Sequence, residues 1–285
     1  MLYAADEGRR GAPHDRDHAA DDPGDNGEGD QGRGRRHDAD ANLPGPVENV
    51  SAGKRANRTS RSIMSQVLVT GFGAYGNTPA NPAQLTAEAL DGRIIAGATV
   101  TARIVPNVFF ESIAVTQQAI ADVRPDLVVM LGEYPGRAVI TVERLAQNIN
   151  DCGRYGLADN AGTVLVGEQT DPAGPVAYHA TVPIRAMVVA MRKAGVPADI
   201  SDAAGTFVCN HLMYGVLHHI AKNGLPIRAG WIHLPCLPSV AALEHNLGAP
   251  SMSVETAVAG VAAGIEAAVR QLSDIGKPVR SRLQI

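Results

Sequence analysis

The sequence predicts an α/β fold: one domain with a central, mostly parallel but mixed and twisted sheet that carries helices on both faces. Two observations predict it. From Met64 onward, short apolar runs too brief for core helices alternate with longer stretches whose apolar residues fall at helical spacing. Those runs are also nearly continuous in apolar character, as strands buried on both faces require.

The elements follow in order. Val67–Thr70 and Val100–Val105 are the first strand candidates. Phe109–Val123 reads as a helix that stops at Arg124-Pro125, because the residue before a proline is steered away from helical backbone. Leu127–Leu131 is a third strand. Pro183–Ala194 opens with a proline in its first turn, where the missing N–H has no partner to lose, and Gly195 ends it. Ile200–Asp202 is a fourth strand. Cys209–Asn223 carries Leu212, Val216 and Ile220 four apart and stops at Gly224. Gly230–Leu234 is a fifth strand, and Ser253 caps a last helix running through Arg270.

Residues 1–63 differ in kind. They hold 12 Asp or Glu and 10 Lys or Arg against six Ile, Leu, Val, Met or Phe, too little apolar surface to offset the entropy of ordering them. They are read as a disordered, charged extension ahead of a catalytic domain over residues 64–285. Two accounts of the extension stand side by side: a solvated segment without a role, and a tail recruiting a partner through DDPGDNGEGD or GRGRR. Met64, followed at once by the first strand, also fits as the true start.

Composition excludes several classes of function. A net charge of -4 lacks the cationic clustering that nucleic acid binding needs, so no nucleic-acid partner is expected. No apolar run reaches the roughly 18 residues that span a bilayer, and MLYAADEGRRGAPHDRD has no apolar signal core. No membrane partner is expected. Three cysteines, Cys152, Cys209 and Cys236, make no disulfide framework and suit a reducing compartment, so a cytoplasmic location is expected.

Sheets of this type place reactive groups where strands end and helices begin. Three such places stand out. In Asp202-Ala-Ala-Gly-Thr-Phe-Val-Cys209-Asn-His, a small-residue turn leads into a helix that opens at Cys209. A thiol there feels the positive end of the helix dipole, which favours the thiolate, and its own N–H is placed to help form an oxyanion hole. In Gly230-Trp-Ile-His233-Leu-Pro, a strand ends in His233, a candidate general acid/base. In Ile140-Thr-Val-Glu143-Arg-Leu-Ala-Gln-Asn148, Glu143 interrupts an apolar stretch and could orient an imidazole. Cys209-x-His211 with His233-x-x-Cys236 also makes a zinc-like inventory. On a helix, however, residues 209 and 211 diverge by about 200°, so no metal is expected.

Together these motifs resemble the pyrrolidone carboxyl peptidases (pyroglutamyl-peptidase I). The likeness runs from about Gln66 to about Arg270. It is carried by Gly205-Thr-Phe-Val-Cys209-Asn-His-Leu-Met-Tyr-Gly215, by Ile232-His233-Leu-Pro at a matching separation, by Glu143-Arg-Leu-Ala-Gln-Asn148, and by Thr70-Gly-Phe72-Gly-Ala-Tyr75-Gly76 with Asn81-Pro82. The resemblance implies a phosphorylase/hydrolase-like α/β fold. It also implies a cysteine exopeptidase that releases N-terminal pyroglutamate (5-oxoproline) from small peptides without a cofactor or metal. Cys209 would be the nucleophile, His233 the acid/base and Glu143 the orienting carboxylate. Phe72, Tyr75, Asn81 and Phe207 would line a pocket for the lactam ring, with Glu133 along one side and Arg154 and Tyr155 nearby. A homo-oligomer, commonly a tetramer, is implied too, and an exposed apolar hairpin over residues 161–176 would be its natural interface.

The chain departs from the family's usual pattern at three places. Tyr75 stands where Phe is usual, Glu133 stands in a run that usually holds Gln, and Cys152–Asp159 is longer than its counterpart. Two other functions are therefore weighed beside the first: a thiol hydrolase for another small lactam or acyl amide, and a non-enzymatic binding module that uses the charged tail.

Overall fold

The structure, a computed structural model, describes residues 66–76 and 78–281. The extension expected over residues 1–63 lies outside them. In chain order the larger elements are β1 (Gln66–Phe72), α1 (Pro82–Leu90), β2 (Ile94–Ile95), β3 (Ala98–Val105), α2 (Glu111–Val123), β4 (Leu127–Glu133) and β5 (Ile140–Glu143). There follow β6 (Leu145–Gln147), β7 (Asn150–Asp151), β8 (Val166–Glu168), β9 (Ala177–His179), α3 (Ile184–Lys193), β10 (Ala198–Ser201), α4 (Val208–Lys222), β11 (Arg228–Leu234), α5 (Pro238–Ala241) and α6 (Val254–Arg270).

Seven strands form the central sheet in the order β10-β5-β11-β4-β1-β3-β2. The inner strands β11, β4, β1 and β3 are parallel neighbours. β5 runs antiparallel to β11 and carries β10 parallel beside it, so the expected mixed sheet is found. Alternate residues feed two cores. Val67, Val69, Val129, Leu131, Ile140, Val142 and Ile232 face one layer, shared with residues of α1, α3 and α6. Leu68, Val128, Met130 and Trp231 face the other, with residues of α2 and α4. Helices thus cover both faces, and burial on both explains the continuous apolar strands.

Helix ends follow local chemistry. The Ser253 hydroxyl accepts from Thr256 N–H and α6 runs to Arg270, as expected. α2 stops at Arg124, the residue before Pro125, in left-handed backbone. Asn81 caps α1 by accepting from Ala83 N–H, with Pro82 in the first turn. One expectation fails: residues 161–176 are not a hairpin. The single strand in that stretch, β8, pairs with β7, and the next strand, β9, pairs with β6. Each ladder takes its partner strand from the 145–151 segment, which lacks the alternating apolar pattern of a strand. Val164, Val166 and Val176 are exposed there, as the apolar reading anticipated.

Candidate active site

The site lies at one corner of the sheet, where β11 and β4 end beside the antiparallel β5. His233 pairs in register with Gly132 on one side and Thr141 on the other. Because strand side chains alternate, Ile140 and Val142 enter one core while Thr141 and Glu143 project to the opposite face, the face of Trp231 and His233. Glu143 is thereby a diagonal neighbour of His233. The His233 Nδ1 lies 2.8 Å from Glu143 Oε1, and both residues are buried.

Cys209 enters from above the sheet as the second residue of α4. Its Sγ lies against Gly132: a Cβ on that glycine would come within 3.1 Å of the sulfur and 2.5 Å of Trp231 Cζ2. Only a glycine lets the helix start approach the strand this closely. Gly205, at a φ of +82°, makes the turn from β10 into the helix. Asn210 fixes the helix start: its amide donates to Gln147 and Ile149 carbonyls and accepts from Gln147 N–H. The N–H of Cys209 sits in the first turn, where no intrahelical carbonyl can take it.

Charges around the thiol oppose its ionisation. Burial pushes the Cys209 thiol up, as do the negative charges of Glu143 and Glu133, while its own backbone N–H and Arg137 pull weakly the other way. The pull of the helix start towards the thiolate, expected from the sequence, is thus set against burial and two carboxylates that act the other way. Burial likewise pushes His233 down, against the raising effect of its hydrogen bond to Glu143. For Glu143, burial alone would raise the carboxyl, but the hydrogen bond and charge of His233 and the charge of Arg137 outweigh it and hold it below the usual range. These directions together favour a neutral thiol and imidazole beside a carboxylate.

The family comparison bears directly on this arrangement. The profile described as pyroglutamyl peptidase matches residues 65–271. The chain belongs to the pyroglutamyl peptidase family. This is a family of cysteine peptidases. The chain is 82% identical over 222 residues to the pyrrolidone-carboxylate peptidase of Mycobacterium tuberculosis, covering 78% of this chain and all of that protein. It is 46% identical over 212 residues to pyrrolidone-carboxylate peptidase 1 of Ralstonia nicotianae, covering 74% of this chain and 96% of that one. Among solved structures, the pyroglutamyl peptidase I of Bacillus amyloliquefaciens matches with a TM-score of 0.71 at 36% identity, over 74% of this chain and all of that one. The pyrrolidone carboxyl peptidase of Thermococcus litoralis matches with a TM-score of 0.72 at 33% identity, over 76% of this chain and all of that one.

Within the family framework the other expected residues fall into four groups. Phe72 is buried against Trp231, ring centroids 5.7 Å apart, and Phe207 is the N-cap residue of α4, edge-on to Phe109. Tyr75 is close enough for its hydroxyl to act on the Glu133 carboxyl, although no bond of standard geometry reaches either carboxylate oxygen. Burial raises Glu133 to about 7, with Tyr75 pulling it back down. Asn81 uses both ends of its amide inside the protein, capping α1 and donating to the Gly73 carbonyl. Its part is to shape the loop between Phe72 and α1. Arg154 and Tyr155 sit on an exposed 3-10 turn, with the Arg154 guanidinium over the Tyr155 ring at 4.7 Å.

Sequence reasoning missed Gly132, Thr141, Arg137, Ser201 and Asn210. The two glycines of Gly132-Glu-Tyr-Pro-Gly136 and the asparagine beside the thiol were the available signals.

Proposed function

We propose that this family member hydrolyses the amide bond after an N-terminal pyroglutamate, with Cys209 as nucleophile, His233 as acid/base and Glu143 as the group that orients the ring. The observation that carries it is the buried His233–Glu143 contact at 2.8 Å on the strand that is in register with Gly132, the residue on which Cys209 Sγ rests.

His233 Nε2 takes the thiol proton as Sγ attacks the scissile carbonyl, and the imidazolium that forms is held by Glu143 through Nδ1–H. Backbone N–H groups at the start of α4 stabilise the oxyanion. The C–N bond breaks, Nε2–H passes its proton to the departing amine, and a pyroglutamyl thioester remains. Water, deprotonated by the same imidazole, then releases pyroglutamate and restores the thiol. The flat, neutral lactam suits aromatic walls such as Phe72, Tyr75 and Phe207, with Asn81 shaping the loop, Glu133 at one side, and Arg154 and Tyr155 farther out. An ordinary amino terminus would bring an ammonium whose desolvation such walls do not offset.

The catalytic unit is residues 64–285, and residues 1–63 are an extension it does not need. It acts in the cytoplasm as a homo-oligomer, by family analogy a tetramer. Support for the compartment comes from Cys152, Cys209 and Cys236 being free thiols. No helix among the described residues is long and apolar enough to cross a membrane. Support for the oligomer is the exposed Val164, Val166 and Val176.

The full chain, assayed under reducing conditions, should release a fluorescent amine from its pyroglutamyl amide but not from its prolyl amide, and Cys209→Ala should abolish release. Turnover of a different lactam or acyl amide instead would favour the second reading, which Glu133 motivates. No turnover of any amide would remove the assignment.

A further inference from the structure

The loop from β4 to β5 carries Arg137, a cation that is 11% exposed and has no part in the chemistry above. Its Nη1 donates to Glu143 Oε1 at 2.8 Å, the same oxygen that meets His233 Nδ1 at 2.8 Å and Thr141 Oγ1 at 3.0 Å. Nη1 also donates to Thr141 Oγ1, and Nη2 to Ser201 Oγ at 3.4 Å. The Tyr134 ring covers the guanidinium at 3.7 Å and turns an edge-on face to His233, with ring centroids 5.3 Å apart. Three donors thus converge on one carboxylate oxygen in a closed corner.

The charge balance has a consequence for the base. Arginine stays protonated at any working pH, so Arg137 already neutralises the single negative charge of Glu143. Adding a proton to His233 would leave a net positive charge enclosed by protein, which a low-dielectric site disfavours. Without Arg137, the same proton would complete a neutral Glu143–His233 ion pair. The groups that face His233 are Glu143 from β5 and Arg137 and Tyr134 from the loop. Cys209 from α4 and Glu133 at the end of β4 complete the titratable set around the site. Of these, Arg137 alone opposes protonation of the ring by its charge, adding to the larger effect of burial and acting against Glu143.

We propose that Arg137 is a positioning residue for the reaction: it pins the Glu143 carboxylate that orients His233 and, as a fixed cation, keeps the resting imidazole neutral and able to accept the Cys209 proton. This rests on the roles of Cys209, His233 and Glu143 given above.

The test is the pH profile of kcat/KM for the full chain, on the pyroglutamyl amide of a fluorescent amine, for wild type, Arg137→Met and Arg137→Lys. The acid limb of that profile reports the free enzyme's base. Arg137→Met should lower kcat about 100-fold with KM little changed, in the range expected for a general base no longer held in place, and should move the acid limb up by about one pH unit. Arg137→Lys keeps the charge without the planar fork. It should leave the acid limb within a few tenths of wild type while losing part of kcat. If Arg137→Met proves unfolded by circular dichroism, Arg137→Gln carries the same expectation. In parallel, the His233 ring is titrated by NMR in Cys209→Ala chains with and without the Arg137 change. Superimposable acid limbs, or an unchanged His233 titration, would overturn the inference. Wild-type turnover abolished by Cys209→Ala would in that case leave the peptidase assignment standing.

Discussion

His233 and Glu143 are joined at 2.8 Å although they lie on strands of opposite direction, Glu143 being the diagonal neighbour of His233 across the β5–β11 ladder. That geometry fixes the ring from Nδ1 and leaves Nε2 for chemistry. Glu143→Gln keeps the shape but loses the anion, and can present an N–H to Nδ1 and hold the wrong tautomer. The expected loss in kcat is about 10³-fold, with KM changed far less. Steady-state kinetics checks it; a loss under tenfold would deny Glu143 the orienting role.

Gly132 is where the strand makes room for the thiol. Gly132→Ala places a Cβ within 2.5 Å of Trp231 Cζ2 and 3.1 Å of Cys209 Sγ. Overpacking of this kind costs about 1–3 kcal/mol, read as a lower urea midpoint. A shift of the helix start should also lower kcat/KM by at least about 100-fold. Retention of both stability and activity would show that Cys209 does not depend on this contact.

Glu133, raised to about 7 by burial, is part charged at neutral pH and pushes the Cys209 thiol up. Glu133→Gln removes that charge. Alkylation of Cys209 by iodoacetamide at pH 8 should therefore be faster in the variant, as more of the thiol ionises. The stability effect has a defined sign. The folded carboxyl has the higher pKa, so the unfolded chain ionises first and wild type loses stability as pH rises from about 4.5 towards 7. Urea midpoints of Glu133→Gln should not fall across that interval by as much as those of wild type.

His211 behaves in the opposite sense. Its Nε2 accepts from Phe110 N–H at 2.8 Å, its Nδ1 meets Thr170 Oγ1 at 3.0 Å, and burial pushes it down to about 4. The unfolded ring takes its proton first, near 6.5, so stability is lost as pH falls from there to about 4. At about 1.4 kcal/mol per unit, His211 alone should account for roughly 3 kcal/mol of acid destabilisation. Urea unfolding at stepped pH, with His211→Gln as control, measures it. Equal acid slopes in both proteins would contradict the assignment.

Much of this was legible in the sequence because it was local. Ser253, Pro125 and Gly224 mark helix ends by backbone chemistry, and the motifs around Cys209 and His233 sit at the element ends where reactive groups belong. The strand Ile140–Glu143 escaped notice because four residues ending in a glutamate give little period, and nothing local shows that it runs against β11. Pro82–Leu90 was missed because the middle of its buried face is Ala83, Thr86 and Ala87, with Leu90 the one large apolar residue in it. β10 was placed two residues late, since Ala198 and Asp199 lack strand character although Asp199 is buried against Arg192 and Ser281. Arg137 lay in a Gly- and Pro-bearing loop, where a charge reads as solvated; only the tertiary fold turns it inward onto Glu143.

The most direct test of the account is labelling of the full chain with a pyroglutamyl chloromethyl ketone, in which the attacking sulfur displaces chloride, followed by peptide mass spectrometry and residual activity. The account predicts one label per chain, on Cys209, with activity lost in proportion and protection by a pyroglutamyl peptide. Labelling confined to Cys152 or Cys236, or full activity retained after Cys209 is completely labelled, would contradict it.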